Sequence, residues 1–287
     1  MEASGLNDSA MDWLHTFWLQ LGLAAMFGPV LFFLVLERLF PAEPGHSLGS
    51  IWSNLKISLV YKLVTTAYAV LTVTLTVWLM RPFSGGLLDL RFATHGSLPL
   101  DLLAALLWFL VFDFFYYWFH RAQHRLPWLW AEHRMHHGTP TLNAAAAMSH
   151  HWLEDLLRIP TVMVPFGLLF RLNPVAAGIA GILANGWGYF IHANIRLDIR
   201  WLTPVIGGPQ LHRIHHSLES GHLNRNFSAF FPVWDILFGT YYRPGRGEYP
   251  HTGVADYALP RRLQDILTGP LGVWCRGLRG ALLRVRP

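Results

Sequence analysis

The stretch His120–His137, HRAQHRLPWLWAEHRMHH, decides how the rest of the chain is read. Its histidines fall as His120 and His124, then His133, His136 and His137, and HRIHH at His212, His215 and His216 repeats the second pattern. Side chains three or four residues apart stack on one face of a helix. At roughly 100° per residue the first pair differs by about 40° and each triplet spans about 100°, so each cluster turns its imidazoles to one side. Eight of the sixteen histidines lie in these clusters. Gathered without a cation in a poorly hydrated place, they would compete for partners and repel one another when protonated. The spacing is that of metal ligands.

Working outward, the clusters interleave with apolar runs. The chain has 287 residues, 53% of them hydrophobic and 14% charged, and a mean hydropathy of +0.31, outside the balance of a soluble domain. The runs Trp13–Leu36, Ile57–Met80 and Leu100–Phe119 are long enough, at about 1.5 Å per residue, to cross or nearly cross roughly 30 Å of hydrocarbon. Two shorter pieces, Ile159–Phe170 and Val175–Ile191, read as a hairpin that dips into the bilayer and returns His192 to the side of His120. The third run is expected to carry His120 and His124 out of the membrane and stop before Pro127. A short interfacial helix, Trp128–His137, would follow, capped by Gly138. The fold class expected is an all-α integral membrane bundle of about four membrane helices or hairpins under a histidine-rich di-metal cap. It reads as one structural domain in three stretches, 1–98 (amino-terminal hairpin), 99–245 (catalytic region) and 246–287 (basic amphipathic tail).

Charge gives orientation and excludes partners. Lys and Arg exceed Asp and Glu by five, but they are scattered near the ends of apolar segments, which suits lipid headgroups and not nucleic acid. No Lys or Arg precedes the first run, whereas Arg121, Arg125, Arg134 and Arg158 flank the clusters, so the histidine face is expected to be cytoplasmic. Arg121, Arg125, Arg134 and Arg213, lodged within the clusters, read as headgroup anchors and could dock an acidic electron donor. Asp113, seven residues before His120 and on about the same helix face, is expected to support a histidine from behind. The isolated His15, His46, His95, His222 and His251 read as ordinary core or surface residues.

Chemistry follows from the donor set. A single cysteine, Cys275, rules out an intramolecular disulfide, thiolate zinc sites and iron–sulfur clusters, so nitrogen and oxygen must hold any metal. Eight or nine imidazoles exceed what one ion takes, which points to two. Imidazole suits zinc, copper, iron and nickel alike. A metal pair at the mouth of a bilayer cavity can reach lipid chains, and the reaction that uses such a placement is oxygen attack on an unactivated C–H bond, for which iron is the metal.

The motifs His-x-x-x-His, His-x-x-His-His and His-x-x-His-His, with DFFYYWFHRAQH, the HAN at His192, LHRIHH and NFSAFFPVWDILFGTYY, resemble the fatty acid hydroxylase superfamily, which includes sterol desaturases, sterol C4-methyl oxidases and alkylglycerol monooxygenase. The resemblance covers about Leu100 to Tyr242. It implies a membrane-bound non-haem di-iron oxidoreductase, a monooxygenase or desaturase of lipid metabolism, acting on a sterol, fatty acyl or ether lipid with dioxygen as co-substrate. It implies nine iron ligands: His120, His124, His133, His136, His137, His192, His212, His215 and His216. His151, in HWLE where relatives have His-Pro-x-Glu, stands equally as ligand or support, and Asp113, Asn226 and Asp235 match polar supporting positions. No cytochrome b5 signature, dinucleotide fingerprint or ferredoxin cysteines are present, so electrons are expected from a separate donor of ferredoxin or cytochrome b5 type with its reductase. The membrane would be the inner membrane in a bacterium or the endoplasmic reticulum in a eukaryote. The rival reading is a non-catalytic protein, either a zinc-bound structural member of the fold or a metal-handling one; zinc could also occupy a purified form.

Overall fold

The computed structural model describes residues 28–44, 47–81, 87, 98–170, 174–199 and 201–284. The first apolar run is therefore described only from residue 28, and His15, His46 and His95 lie outside the described residues.

The described chain is all-helical. It runs through α1 (28–39), α2 (Leu48–Met80), α3 (Leu98–Arg125), α4 (Pro127–His137), α5 (Leu153–Arg158), α6 (Val164–Leu169), α7 (Pro174–His192), α8 (Pro209–His215), α9 (Val233–Leu237) and α10 (Leu263–Arg284). No strand forms among the described residues, only isolated bridges such as Pro41 with Ile195.

Among the described residues two helices are long and apolar enough to cross a membrane, over Leu48–Leu79 and Leu102–Arg125. Their apolar side chains point outward as a lipid-facing surface requires: Leu63 is 63% and Val70 79% exposed, which no soluble core would leave uncovered. Helix α2 begins at Ser47, whose hydroxyl accepts the Ser50 N–H at 3.2 Å, the usual N-cap contact. Its first turns brace the segment beyond α4: Asn54 contacts Asn143 at 3.4 Å and accepts from Thr139 at 3.0 Å, and Ser58 donates to the Ala145 carbonyl at 3.3 Å. Further along, Tyr61 donates to Asp155 at 2.8 Å and Tyr68 to the Trp152 carbonyl at 2.5 Å.

Helices α3 and α4 meet at the expected proline. Leu126 is extended, as the residue before proline tends to be, and Pro127 opens α4, where its missing N–H costs nothing. Gly138 does cap α4, but at φ −72° it adopts no left-handed turn. A glycine is needed there for closeness: a Cβ would stand 2.8 Å from Tyr257, whose ring also carries the Arg134 guanidinium at 4.7 Å.

The expected dipping hairpin is one side helix and one long helix. Pro160 and Pro165 lack the N–H that a continuous α-helix uses, and a π turn, Ile159–Met163, joins α5 to α6. Phe166 and Phe170 of this arm pack with Trp108 of α3 in an aromatic core. The carboxy-terminal α10 is docked where its first half passes α4: Ile266 joins Ile57 and Met135 in a buried cluster, and the Trp274 indole donates to the Trp128 carbonyl at 2.7 Å.

Candidate metal centre

Four helix ends supply the histidines. Helix α3 carries His120 and His124 in its last turns, α4 carries His133, His136 and His137, α7 ends at His192, and α8 carries His212 and His215 with His216 as its cap. The structure gathers these nine into two groups whose nitrogens lie within 4.8 Å of one another. One group is His120, His124, His133, His137 and His215; the other is His136, His192, His212 and His216. The split follows from helix geometry. In each His-x-x-His-His cluster the first and last members, i and i+4, share one group, and the middle one faces the other. The pattern thus makes α4 and α8 each reach both groups.

Ring nitrogens face inward and are fixed from behind. His120, His192 and His215 donate Nδ1–H to the carbonyls of Phe227 (2.7 Å), Gly188 (2.7 Å) and Arg225 (2.8 Å). A neutral ring anchored so must present Nε2 as a lone pair. In the second group the Nε2 atoms stand nitrogen to nitrogen: His136 to His192 and His192 to His212 at 3.0 Å, His212 to His216 at 3.1 Å. In the first, His137 Nε2 faces His124 at 3.1 Å and His133 at 3.2 Å.

Such contacts can share only one proton each. Nε2 of His120 and His215, and Nδ1 of His133, His136 and His216, are buried with no hydrogen-bond partner. Each such orphan costs about 1–3 kcal/mol. Burial, reinforced by neighbouring imidazoles, holds His136, His137, His212 and His216 well below the ordinary histidine range, and burial pushes His215 down to about 3. Neutral imidazoles with converging lone pairs in a dry pocket fit a metal cation, which would accept the lone pairs left over.

The supporting residues reach the histidines through the backbone. Asp113 touches no imidazole; its buried carboxylate accepts the N–H groups of Ala229, Phe230 and Phe231 at 2.7–3.1 Å. Asp235 accepts those of Phe227 and Ser228 at 2.8 and 2.9 Å. Asn226, at φ 57°, exchanges bonds with Tyr242 across the same loop. All three shape the turn whose carbonyls hold His120 and His215.

His151 enters neither group: its Nε2 contacts the Leu267 carbonyl at 3.1 Å, and its Nδ1 accepts the Leu153 N–H at 3.3 Å. Its neighbour His150 is the one beside the site, stacked on His136 with ring centroids 4.1 Å apart and bonded to Glu154 at 2.7 Å. The sequence pointed to Glu154 only as the acid of HWLE, three residues after His151, and His150 was missed although its i, i+4 spacing to Glu154 was a usable signal. Arg213 is no headgroup anchor. It is 2% exposed, paired with Glu43, and donates to Asn194 at 2.8 Å and to the Pro250 carbonyl at 2.9 Å. Arg121 lies along Tyr117, to whose hydroxyl it donates at 2.8 Å. His222 is buried between Ser217 and Glu248, and His251 sits on Glu43, both away from the groups.

Residues 105–240 match the fatty acid hydroxylase family model. Over that stretch the chain is similar to fatty acid hydroxylases. Curated proteins similar to the chain include the alkylglycerol monooxygenase of Homo sapiens, 28% identical over 46% of this chain and 29% of that protein. The ornithine lipid hydroxylase of Rhizobium tropici is 30% identical over 50% of this chain and 43% of its own length, and a Delta(7)-sterol 5(6)-desaturase of Aspergillus fumigatus 32% over 54% and 44%. The chain thus spans less than half the length of these relatives. No solved structure matches it. The matched stretch contains both histidine groups whole, whereas Glu37, Glu43 and Asn54, which brace it, come from the segment ahead.

Proposed function

We propose that the chain is a membrane-bound di-iron oxidoreductase that hydroxylates or desaturates a lipid, with dioxygen as co-substrate and electrons from a separate donor protein. The observation that carries this reading is the pair of buried histidine groups, nitrogens converging, at the ends of α3 and α7, which leave leucines such as Leu102 and Leu183 exposed, and on the short helices α4 and α8. His120, His124, His133, His137 and His215 would hold one iron, and His136, His192, His212 and His216 the other. Bound iron would supply oxygen activation against an unreactive C–H bond.

The chain's own residues supply the rest. Carbonyls 188, 225 and 227 fix three imidazole tautomers, and burial keeps the rings neutral and the pocket dry, so that lone pairs are available without prior loss of protons. A largely apolar groove of about 240 Å³ opens between α1 and α2, lined by Val30, Leu34, Trp52, Leu55, Met148 and Tyr189. Tyr189 stands one turn before His192 on α7, so a hydrocarbon chain bound in the groove would lie toward the second group. The relatives' names, an alkylglycerol, an ornithine lipid and a sterol enzyme, support a lipid substrate for this chain. The arginines flanking the clusters support a cytoplasmic histidine face.

The test is metal analysis of the purified protein, with dioxygen consumption measured under a reductant and candidate lipids of these three kinds. Two irons per chain and lipid-dependent consumption are expected. Zinc alone, with no turnover under any donor, would leave a non-catalytic metal protein.

A further inference from the structure

We propose that Glu154 is a positioning residue that couples the two histidine groups, setting one imidazole of each; this rests on the two-metal reading above. Glu154 lies on α5 and its side chain is buried. Its Oε2 accepts from His150 Nδ1 at 2.7 Å and lies 3.5 Å from His133 Nδ1, while Oε1 pairs with Arg158. His133 belongs to the first group. No hydrogen bond forms at that nitrogen, but the carboxylate beside it favours the proton on Nδ1 and leaves the lone pair of Nε2 facing His137 and the group's centre.

The second arm runs through His150. That ring's Nδ1 lies 2.7 Å from Glu154 and its Nε2 3.1 Å from the Ala147 carbonyl, so both nitrogens are engaged by groups of the protein. His150 stands in neither of the two large groups, although it lies with His133 and Glu154 in a third cluster of potential ligands. Arg158 on the same carboxylate already provides that cluster's cation. What His150 offers is a flat face: it stacks on His136 at 4.1 Å and 12°. His136 has no hydrogen bond at Nδ1, so nothing ties its ring from behind as carbonyls tie His120, His192 and His215. The stack takes that place, and Glu154 holds the stack. One carboxylate thus reaches both groups without belonging to either.

The experiment titrates Co²⁺ into the metal-free full-length protein in detergent, reading its visible absorption under a competing chelator, with unfolding midpoints in parallel. His215→Ala and His212→Ala backgrounds separate the first and second positions. Glu154→Gln is expected to bind ten- to a hundredfold more weakly at both positions, the usual effect of losing a supporting carboxylate. His150→Phe keeps a flat ring but loses the tether, and should weaken the second position alone. Asp155→Asn, on the same helix and facing the same arginine at 3.6 Å, should leave both unchanged even if it lowers the midpoint. Wild-type affinity of Glu154→Gln at either position, or equal weakening by Asp155→Asn, overturns the coupling. Fewer than two Co²⁺ in the unaltered protein overturns the two-metal reading beneath it, so the two failures are told apart.

Discussion

His120 and Phe227, 107 residues apart, are joined by a 2.7 Å hydrogen bond from imidazole Nδ1 to a peptide carbonyl. The carbonyl is where it is because Asp235 takes the Phe227 and Ser228 N–H groups and the Thr240 hydroxyl, the last at 2.7 Å. Asp235→Asn turns one acceptor into a donor facing a donor. Metal affinity at the first position should fall about tenfold, with a stability loss of about 1–3 kcal/mol. Unchanged affinity measured by chelator competition would show that the turn holds without it.

His136 and His151 are both buried, and only the first faces other lone pairs. His136→Ala should remove metal and turnover together. His151→Ala should keep metal and instead lower the unfolding midpoint, because the Leu267 carbonyl loses a partner inside the protein. Metal loss in His151→Ala would make it a ligand after all.

Glu37, just past the apolar part of α1, accepts the Ala144 and Asn194 N–H groups at 2.6 and 2.9 Å. Burial nevertheless raises it from 4.5 to about 7, the hydrogen bonds opposing only in part. Between those values the folded chain holds a proton that the unfolded chain has lost, so stability falls as pH rises from 4.5 to about 7 and is level above. The full drop is roughly 3 kcal/mol. Glu37→Gln should flatten this slope in unfolding midpoints measured across that window, and an identical slope in both proteins would discard the assignment.

Leu34 lines the groove and lies on none of the histidine helices. Leu34→Trp should raise KM for long-chain lipids severalfold and leave metal content intact. If KM does not move, the hydrocarbon lies elsewhere.

The histidine spacing made the site legible because helical period alone sorts i and i+4 to one side. It also showed the break between α3 and α4, since a proline's effect is local. The role of Asp113 was not legible: its place on the face of His120 suggested a direct bond, but three backbone N–H groups of a distant turn meet it instead. Arg213 misled for a similar reason. Among the arginines near the ends of apolar segments it looks like one more, and its partner Glu43 lies 170 residues away in the sequence. His150 was hidden by His151, where the resemblance drew attention to a His-x-x-Glu spacing while the structure uses His-x-x-x-Glu.

The Arg213 bridge sets an order in time. Synthesis releases Glu43 and the helices of the apolar hairpins before HRIHH exists, and Arg213 can settle only onto a carboxylate and an Asn194 already in place. His212, His215 and His216 swing in with it, each group gaining its last nitrogens from the same short helix. Neither group has its full set of nitrogens until synthesis has passed His216, so completing the pocket belongs to the later part of biogenesis.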